Sequence, residues 1–517
     1  MPVRAELRWR RLVVAVLLVV ALPAVLAFIA VAYQRPDLPP GPPAYDPLPL
    51  GKQPVLAAVQ ARELQRSRRV TDEAGLLTAP QVVPPTFPER VSTVVLPPRA
   101  EPYGLAEVQQ LLPAAFQVLD GALLLRASIE VPAGARLTID GATTPDVRLS
   151  SRPDGFTTVI SRGGEVDVRG TAAQPVRISS WDDAAGRADD DPSDGRSFLV
   201  VFGGRMDISH ADIGHLGFGT GTSSGVAWRV GEGPAGTPPV PVTGVVESST
   251  LHDNWFGAYT FEAVGMRFTD NTFADNAAYG FDPHDLSNDF LVERNAARGN
   301  GRHGFIFSRG CDRNVLRDNV AYDNRGHGFM IDDGRSEDSA AGAAARLPSN
   351  DNQLIGNRAH DNDGSGIEIE GGVGTVVTGN VLQRNHVGVR VKNDASVRIS
   401  DNHVVDSRFA GVDVLSAAPD IEVRGNEVRG GWASIALPEP GAARLTGNEL
   451  VGASTPLVVA GQAVRDEGLA SEIGRVFRWN PLLVLWAGIL GVPAVFAVRR
   501  LARWVVPGRH RDRALPG

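Results

Sequence analysis

Polar and apolar residues alternate in register after each of a series of glycines: Gly257, Gly280, Gly304, Gly328, Gly366, Gly388 and Gly411. The first residue after the later six is Phe281, Phe305, Phe329, Ile367, Val389 or Val412, and the third is Pro283, Phe307, Ile331, Ile369, Val391 or Val414. A period of two is a strand with one face buried, so these positions point inward. Asp282 and His284, Ile306 and Ser308, Met330 and Asp332, Glu368 and Glu370, and Arg390 and Lys392 then point outward, as do Tyr279, His303 and His327 before their glycines.

A second pattern runs through the same region. Asn closes a short strand at 271, 295, 319, 357, 380, 402, 426 and 448, at steps of 22–24 residues with one of 38, which holds an insertion at 334–349. A further polar turn residue follows five positions on, at Asn276, Asn300, Asn324, Asn362, Asn385 and Ser407. A repeat this short, with two or three strands per period and neither a leucine consensus nor a 3.6-residue pattern, predicts a right-handed parallel β-helix. The fold class is therefore all-β, a solenoid whose coils rise by about 4.8 Å. Asn suits such turns because it tolerates left-handed backbone and its amide stacks into ladders.

The ends of the chain read differently. Residues 12–33 and 481–498 are uncharged, and basic residues flank them on their outer sides: Arg8, Arg10 and Arg11 before the first, Arg499 to Arg513 after the second. These are the marks of two transmembrane helices with cytoplasmic ends. The first exceeds a signal-peptide core and reads as an uncleaved anchor. The expected layout is a cytoplasmic N-terminus (1–11), an anchor (12–33), a Pro-rich stalk (34–102) with a short charged helix near 55–69, and the β-helix (103–463). A linker (464–480), the second span (481–498) and a basic tail (499–517) complete it. This two-pass cell-membrane arrangement leaves the β-helix outside.

Composition narrows the function. A net charge of −8 argues against nucleic acid, while leaving room for an acidic polysaccharide bound by local arginines. Cys311 is the only cysteine, which excludes an intrachain disulfide and a cysteine zinc site. No metal or other cofactor is expected, with Ca²⁺ at the acidic stretch 182–194 as the alternative; that stretch lacks the spacing of a known calcium loop and reads better as an exposed loop.

One stretch breaks the pattern. In YGFDPHD (279–285), Pro283 stands at an inward position and removes a ladder donor. Such local violations concentrate where function compensates. Around it, Tyr279, Asp282 and His284 share an outer face with His303, Ser308 and Arg309 one coil on and His327 and Asp332 a further coil on; Asp285 lies beside Arg309. Histidine, phenol and guanidinium together suit proton abstraction at C5 of a uronic acid. A cation neutralises the C6 carboxylate so that the carbanion spreads as an enediolate, a base removes H5, and an acid on the other face returns a proton. Return gives epimerisation; loss of the 4-O substituent gives a lyase; a non-catalytic carbohydrate-binding or accessory β-helix is the third reading.

YGFDPHD resembles the signature of mannuronan (alginate) C5-epimerases. SHADIGHLGFGTG (209–221), FGAYTFEA (256–263) and HGFIFSRG (303–310) are similar to segments of the periplasmic members, a likeness spanning about 202–333. The resemblance implies that His284 is the catalytic histidine, with Tyr279 and Asp282 the tyrosine and aspartate of the motif. It implies that Arg309 neutralises the substrate carboxylate and that His327 is a groove histidine. Asp285, His303, Ser308, His327 and Asp332 are the expected substrate-binding residues. Implied partners are an acidic polysaccharide, the membrane, and export or synthesis proteins docking on the stalk or the insertion. Anchors at both ends depart from the usual family layout.

Overall fold

The protein is described here from a computed structural model, which covers residue 41 and residues 53–219, 221–233, 236–334, 347–392, 396–416, 420–459 and 462–463. These lie in one compact unit, Leu38–Ala463. Among the described residues three sheets run its length, of 16, 14 and 16 strands, here sheets A, B and C, in which strands of successive coils pair in parallel. The coil that carries YGFDPHD places Phe281–His284 in sheet A, Leu291–Glu293 in sheet B and Ala296–Arg298 in sheet C. The expected parallel β-helix is thus observed.

The inward positions behave as their alternation requires. Phe281, Phe305, Phe329, Ile367, Val389 and Val412 are fully buried in one continuous core extending from Val94 to Ala442. Identical positions stack: Phe305 and Phe329 lie ring on ring at 4.9 Å. Gly280 is required by close approach, since a Cβ there would come within 2.5 Å of the Gly304 carbonyl oxygen and 2.9 Å of Asn300 Nδ2.

The asparagines form the expected ladders, but not for both expected reasons. Nδ2 of Asn271 donates to Asn295 Oδ1, Asn295 to Asn319, and Asn319 to Asn357, at 2.9–3.0 Å. A second ladder joins Asn276, Asn300, Asn324, Asn362 and Asn385. The left-handed residue of each turn is the one before the Asn: Asp270, Arg294 and Asp318 in the first ladder, Asp275 and Asp323 in the second. The Asn amide must point into the core to reach its neighbours, so the preceding residue takes the positive φ.

Residues 53–102, expected to be part of an unpacked stalk, are instead folded onto the solenoid. Gln53–Ala74 is a 22-residue helix, and Thr93–Val95 pairs with Ser128–Pro132 in sheet A. The helix brings Arg66 under it, fully buried, to donate to Thr93 Oγ1 at 2.7 Å and Thr158 Oγ1 at 2.8 Å, while Ser67 and Thr71 donate to the buried Glu130. These are polar groups on the outer face of sheet A that only a covering element satisfies, and the proline content of the segment hid that. Arg66→Ala is expected to loosen this cover, raising amide exchange across Gln53–Ala74 by roughly 30-fold, about 2 kcal/mol of local opening. Hydrogen-exchange mass spectrometry reads it directly.

No helix among the described residues is long and apolar enough to cross a membrane. The expected spans at 12–33 and 481–498, their cytoplasmic flanks, the linker 464–480 and most of the insertion, 335–346, lie outside the described residues.

Candidate active site

Pro283 shapes the site through the hydrogen bond it cannot make. Phe281–His284 pairs with the preceding strand Phe256–Phe261 over four residues, but with the following strand Phe305–Phe307 only at Phe281↔Phe305. The Pro283 carbonyl still accepts from the Ser308 amide at 2.9 Å. Immediately afterwards the chain leaves the sheet through two consecutive non-glycine residues with positive φ, Asp285 at 22° and Leu286 at 57°. That strained pair folds the Asp285 carboxylate back beside His284.

His284 is the exposed member of the group, its side chain 39% accessible. Its Nδ1 lies 2.8 Å from Asp285 Oδ1, off the hydrogen-bond line. Asp285 Oδ2 accepts from Arg309 Nε at 2.9 Å and Nη2 at 2.5 Å. Histidine, carboxylate and guanidinium are therefore one chain of contacts across two coils. Burial alone would lower the His284 pKa, but the Asp285 contact and the charges of Asp282 and Asp285 outweigh it and the net shift is upward. Burial would likewise raise Asp285, but His284 and Arg309 hold it well below the ordinary carboxylate range.

Asp282 is the opposite case. It is fully buried, neither carboxyl oxygen has a well-aligned hydrogen-bond partner, and burial, only partly offset by His284 and the Ser308 hydroxyl beside it, pushes its pKa up to about 7. The unfolded value is near 3.8, so between about pH 4 and pH 7 the folded chain binds more protons than the unfolded one. Stability from this group therefore falls as pH rises through that window. Asp282→Asn is expected to raise the melting temperature at pH 8 and to change it little at pH 4, which thermal unfolding at the two pH values checks.

The other expected residues are distributed unevenly. Tyr279 is nearly buried, its ring 4.9 Å from that of Phe256 and stacked on His303 at 5.4 Å. His303 is a fully buried rung: it stacks on His327 at 4.8 Å, and its Nδ1 accepts from the His327 amide at 2.9 Å. His327 Nδ1 accepts from the Ser365 amide at 2.9 Å. Both nitrogens are acceptors and so carry no proton, and burial first of all lowers both pKa values. The expected groove wall at 303 and 327 is thus a neutral histidine ladder supporting Tyr279. Ser308 and Asp332 are buried as well. Asp332 sits with Asp333 and Glu370 in a buried acidic group, and burial pushes Glu370 up to about 6.

Two residues without a place in the expected site stand next to His284. Tyr259, paired in register with Asp282, has its ring 5.6 Å from the imidazole. Phe261, paired with His284, stacks on it at 6.3 Å. Arg229 donates to the Tyr259 hydroxyl at 3.1 Å and lies over the Phe261 ring at 4.3 Å. All three come from earlier coils. Tyr259 sits in the FGAYTFEA stretch, and counting one repeat back from Asp282 would have found it.

The chain is 28% identical over 322 residues to a mannuronan C5-epimerase of Pseudomonas putida, covering 60% of this chain and 57% of the relative. It is 27% identical over 323 residues to mannuronan C5-epimerase AlgG of Azotobacter vinelandii, covering 60% and 56%. The chain is thus similar to mannuronan C5-epimerases over about 60% of its length. It spans rather more than half the length of these epimerases. The crystal structure of the periplasmic alginate epimerase AlgG superposes with a TM-score of 0.56 at 20% identity, over 71% of this chain and 85% of that one, and establishes the shared fold. A family model described as periplasmic copper-binding protein (NosD) matches residues 243–408 and 335–465.

Proposed function

We propose that the protein is an extracytoplasmic C5-epimerase acting on a uronic-acid polysaccharide of the alginate type. The observation that carries this reading is the His284–Asp285–Arg309 chain, which sets a partly exposed imidazole and a fixed guanidinium side by side on the outer face of sheet A. Homology to mannuronan C5-epimerases supports the substrate class. Arg309, oriented by Asp285, faces the substrate carboxylate and favours the enediolate. His284 exchanges the C5 proton on one face of the sugar, and a phenol serves the other. Tyr279 carries that role by resemblance; Tyr259, whose ring abuts His284, carries it by position. Tyr259→Phe is therefore expected to lower turnover about 100-fold, and more than Tyr279→Phe does.

The test is deuterium incorporation. The full chain is incubated with polymannuronate in deuterated water, with C5 label and guluronate content read by NMR. An epimerase incorporates label without a change in chain length. A lyase instead generates the ultraviolet absorbance of an unsaturated uronate. The match to the NosD model supports a second reading, an accessory β-helix that binds without turnover; it predicts neither label nor absorbance. Anchoring by residues 12–33 and 481–498 with the β-helix outside completes the proposal. Reporter fusions after residue 102 and at the C-terminus are expected to show the first outside and the second inside.

A further inference from the structure

Two histidines and three aspartates that the proposed reaction does not use meet at the C-terminal ends of two neighbouring strands of sheet C. His252 ends the strand Thr250–His252, and His215 follows the strand Ala211–Gly214, one coil earlier. Ligand atoms of His215, His252 and Asp253 all lie within 4.8 Å of one another. His252 Nε2 is 2.7 Å from Asp212 Oδ1, and its Nδ1 is 2.7 Å from Asp253 Oδ2. His215 Nδ1 is 2.8 Å from Asp190 Oδ1, and the two rings meet edge to face at 5.8 Å. Asp190 belongs to the acidic loop 182–194, which has no calcium-loop spacing of its own.

The cluster is held by an element that a chance surface grouping lacks. Arg196 is almost fully buried and donates to the carbonyls of Asp189, Leu216, Gly217 and Asp253. One guanidinium thus ties together the three segments that carry Asp190, His215 and Asp253. Its positive charge is offset by the carboxylates of Asp189, Asp190, Asp253 and Asp191.

We propose that His215, His252 and Asp253 form a binding site for a divalent transition-metal ion of the zinc, cobalt or copper(II) class. Asp212 accepts the His252 Nε2 proton, and Asp190 lies 2.8 Å from His215 Nδ1, off the hydrogen-bond line, which leaves His252 Nδ1, His215 Nε2 and an Asp253 oxygen facing the ion. A carboxylate hydrogen-bonded behind a ligating imidazole, as Asp212 is behind His252, fixes its tautomer and strengthens it as a donor. Two imidazoles and a carboxylate suit borderline ions rather than calcium or magnesium, which prefer all-oxygen sites. The site stands just before Phe256–Phe261, the strand that presents Tyr259 and Phe261 to His284, so an ion there pins the turn that enters the active coil.

The experiment is titration of the full chain, freed of metal by chelator, with Zn²⁺ by calorimetry and Co²⁺ by visible absorption. Expected are one equivalent bound and a Co²⁺ spectrum of a low-coordinate site with nitrogen ligands. His215→Ala/His252→Ala is expected to lose at least about 100-fold in affinity and Asp212→Asn about 10- to 100-fold, while His284→Ala titrates as the wild type does. Asp253→Asn, which keeps both rings in place, serves where the double variant fails to fold and is expected to weaken binding at least tenfold. Absence of stoichiometric binding, or undiminished binding in the double variant or in Asp253→Asn, overturns the proposal.

Discussion

His284→Ala is expected to lower C5 exchange on polymannuronate by about 1000-fold, the middle of the range for removing a positioned acid or base. The same substitution is expected to leave circular dichroism and melting temperature nearly unchanged, because the side chain is only part buried and caps no ladder. A loss of activity accompanied by unfolding would assign His284 a structural role instead. The pH profile gives an independent reading. If His284 acts as a base it must be neutral, and its pKa is raised above 6.5, so the rate rises with pH through that raised value. Asp285→Asn removes the partner that sustains the shift. The rising limb is then expected to move to lower pH, while the maximal rate falls because Arg309 loses its fixed orientation. A limb that stays in place in Asp285→Asn would show that another group titrates.

Asn319→Ala is expected to cost about 4 kcal/mol, close to the sum of four neutral hydrogen bonds at about 1 kcal/mol each. Asn319 Nδ2 donates to Asn357 Oδ1 and to the Val292 carbonyl, and its Oδ1 accepts from the amide and Nδ2 of Asn295. All four bonds are buried, and alanine leaves donors on one side and acceptors on the other with no water to replace the amide. A solenoid holds each coil mainly through its neighbours, so the loss is expected to split a single urea transition into two. Asn319→Asp sharpens the test. An ionised carboxylate still accepts from Asn295 but faces the Val292 and Asn357 oxygens with no proton to offer. It is expected to be worse than alanine at pH 7 and to recover in part as the pH falls toward 5. Equal stability of the Asp and Ala variants at both pH values would mean that shape, rather than the donor, holds this position.

The two ladders also show how far the chain could be read from its residues. A period of about 23 with Asn at a fixed place and apolar residues at alternate positions leaves few ways to bury both, and a three-sheet coil is the one observed. The left-handed position was misjudged, because a turn's φ values depend on which neighbour must send its amide inward, and that is settled between coils. The stalk was misread for a related reason: proline content reports how a segment behaves alone, whereas Arg66 and Ser67 answer to Thr93, Thr158 and Glu130 in the sheet beneath.

The candidate site divides in the same way. Alternation and the Pro283 violation by themselves determined that Asp282 and His284 lie on the outer face, and spacing alone brought Arg309 to Asp285. Only the tertiary structure decided that His303 and His327 are neutral buried rungs, that Asp282 is sealed without a well-aligned partner, and that Tyr259 rather than a downstream residue flanks the imidazole. Periodicity fixes the face a side chain takes, because that depends on its own backbone. Burial, protonation and contact depend on what the neighbouring coils and the covering helix place above it, and those partners are remote in sequence.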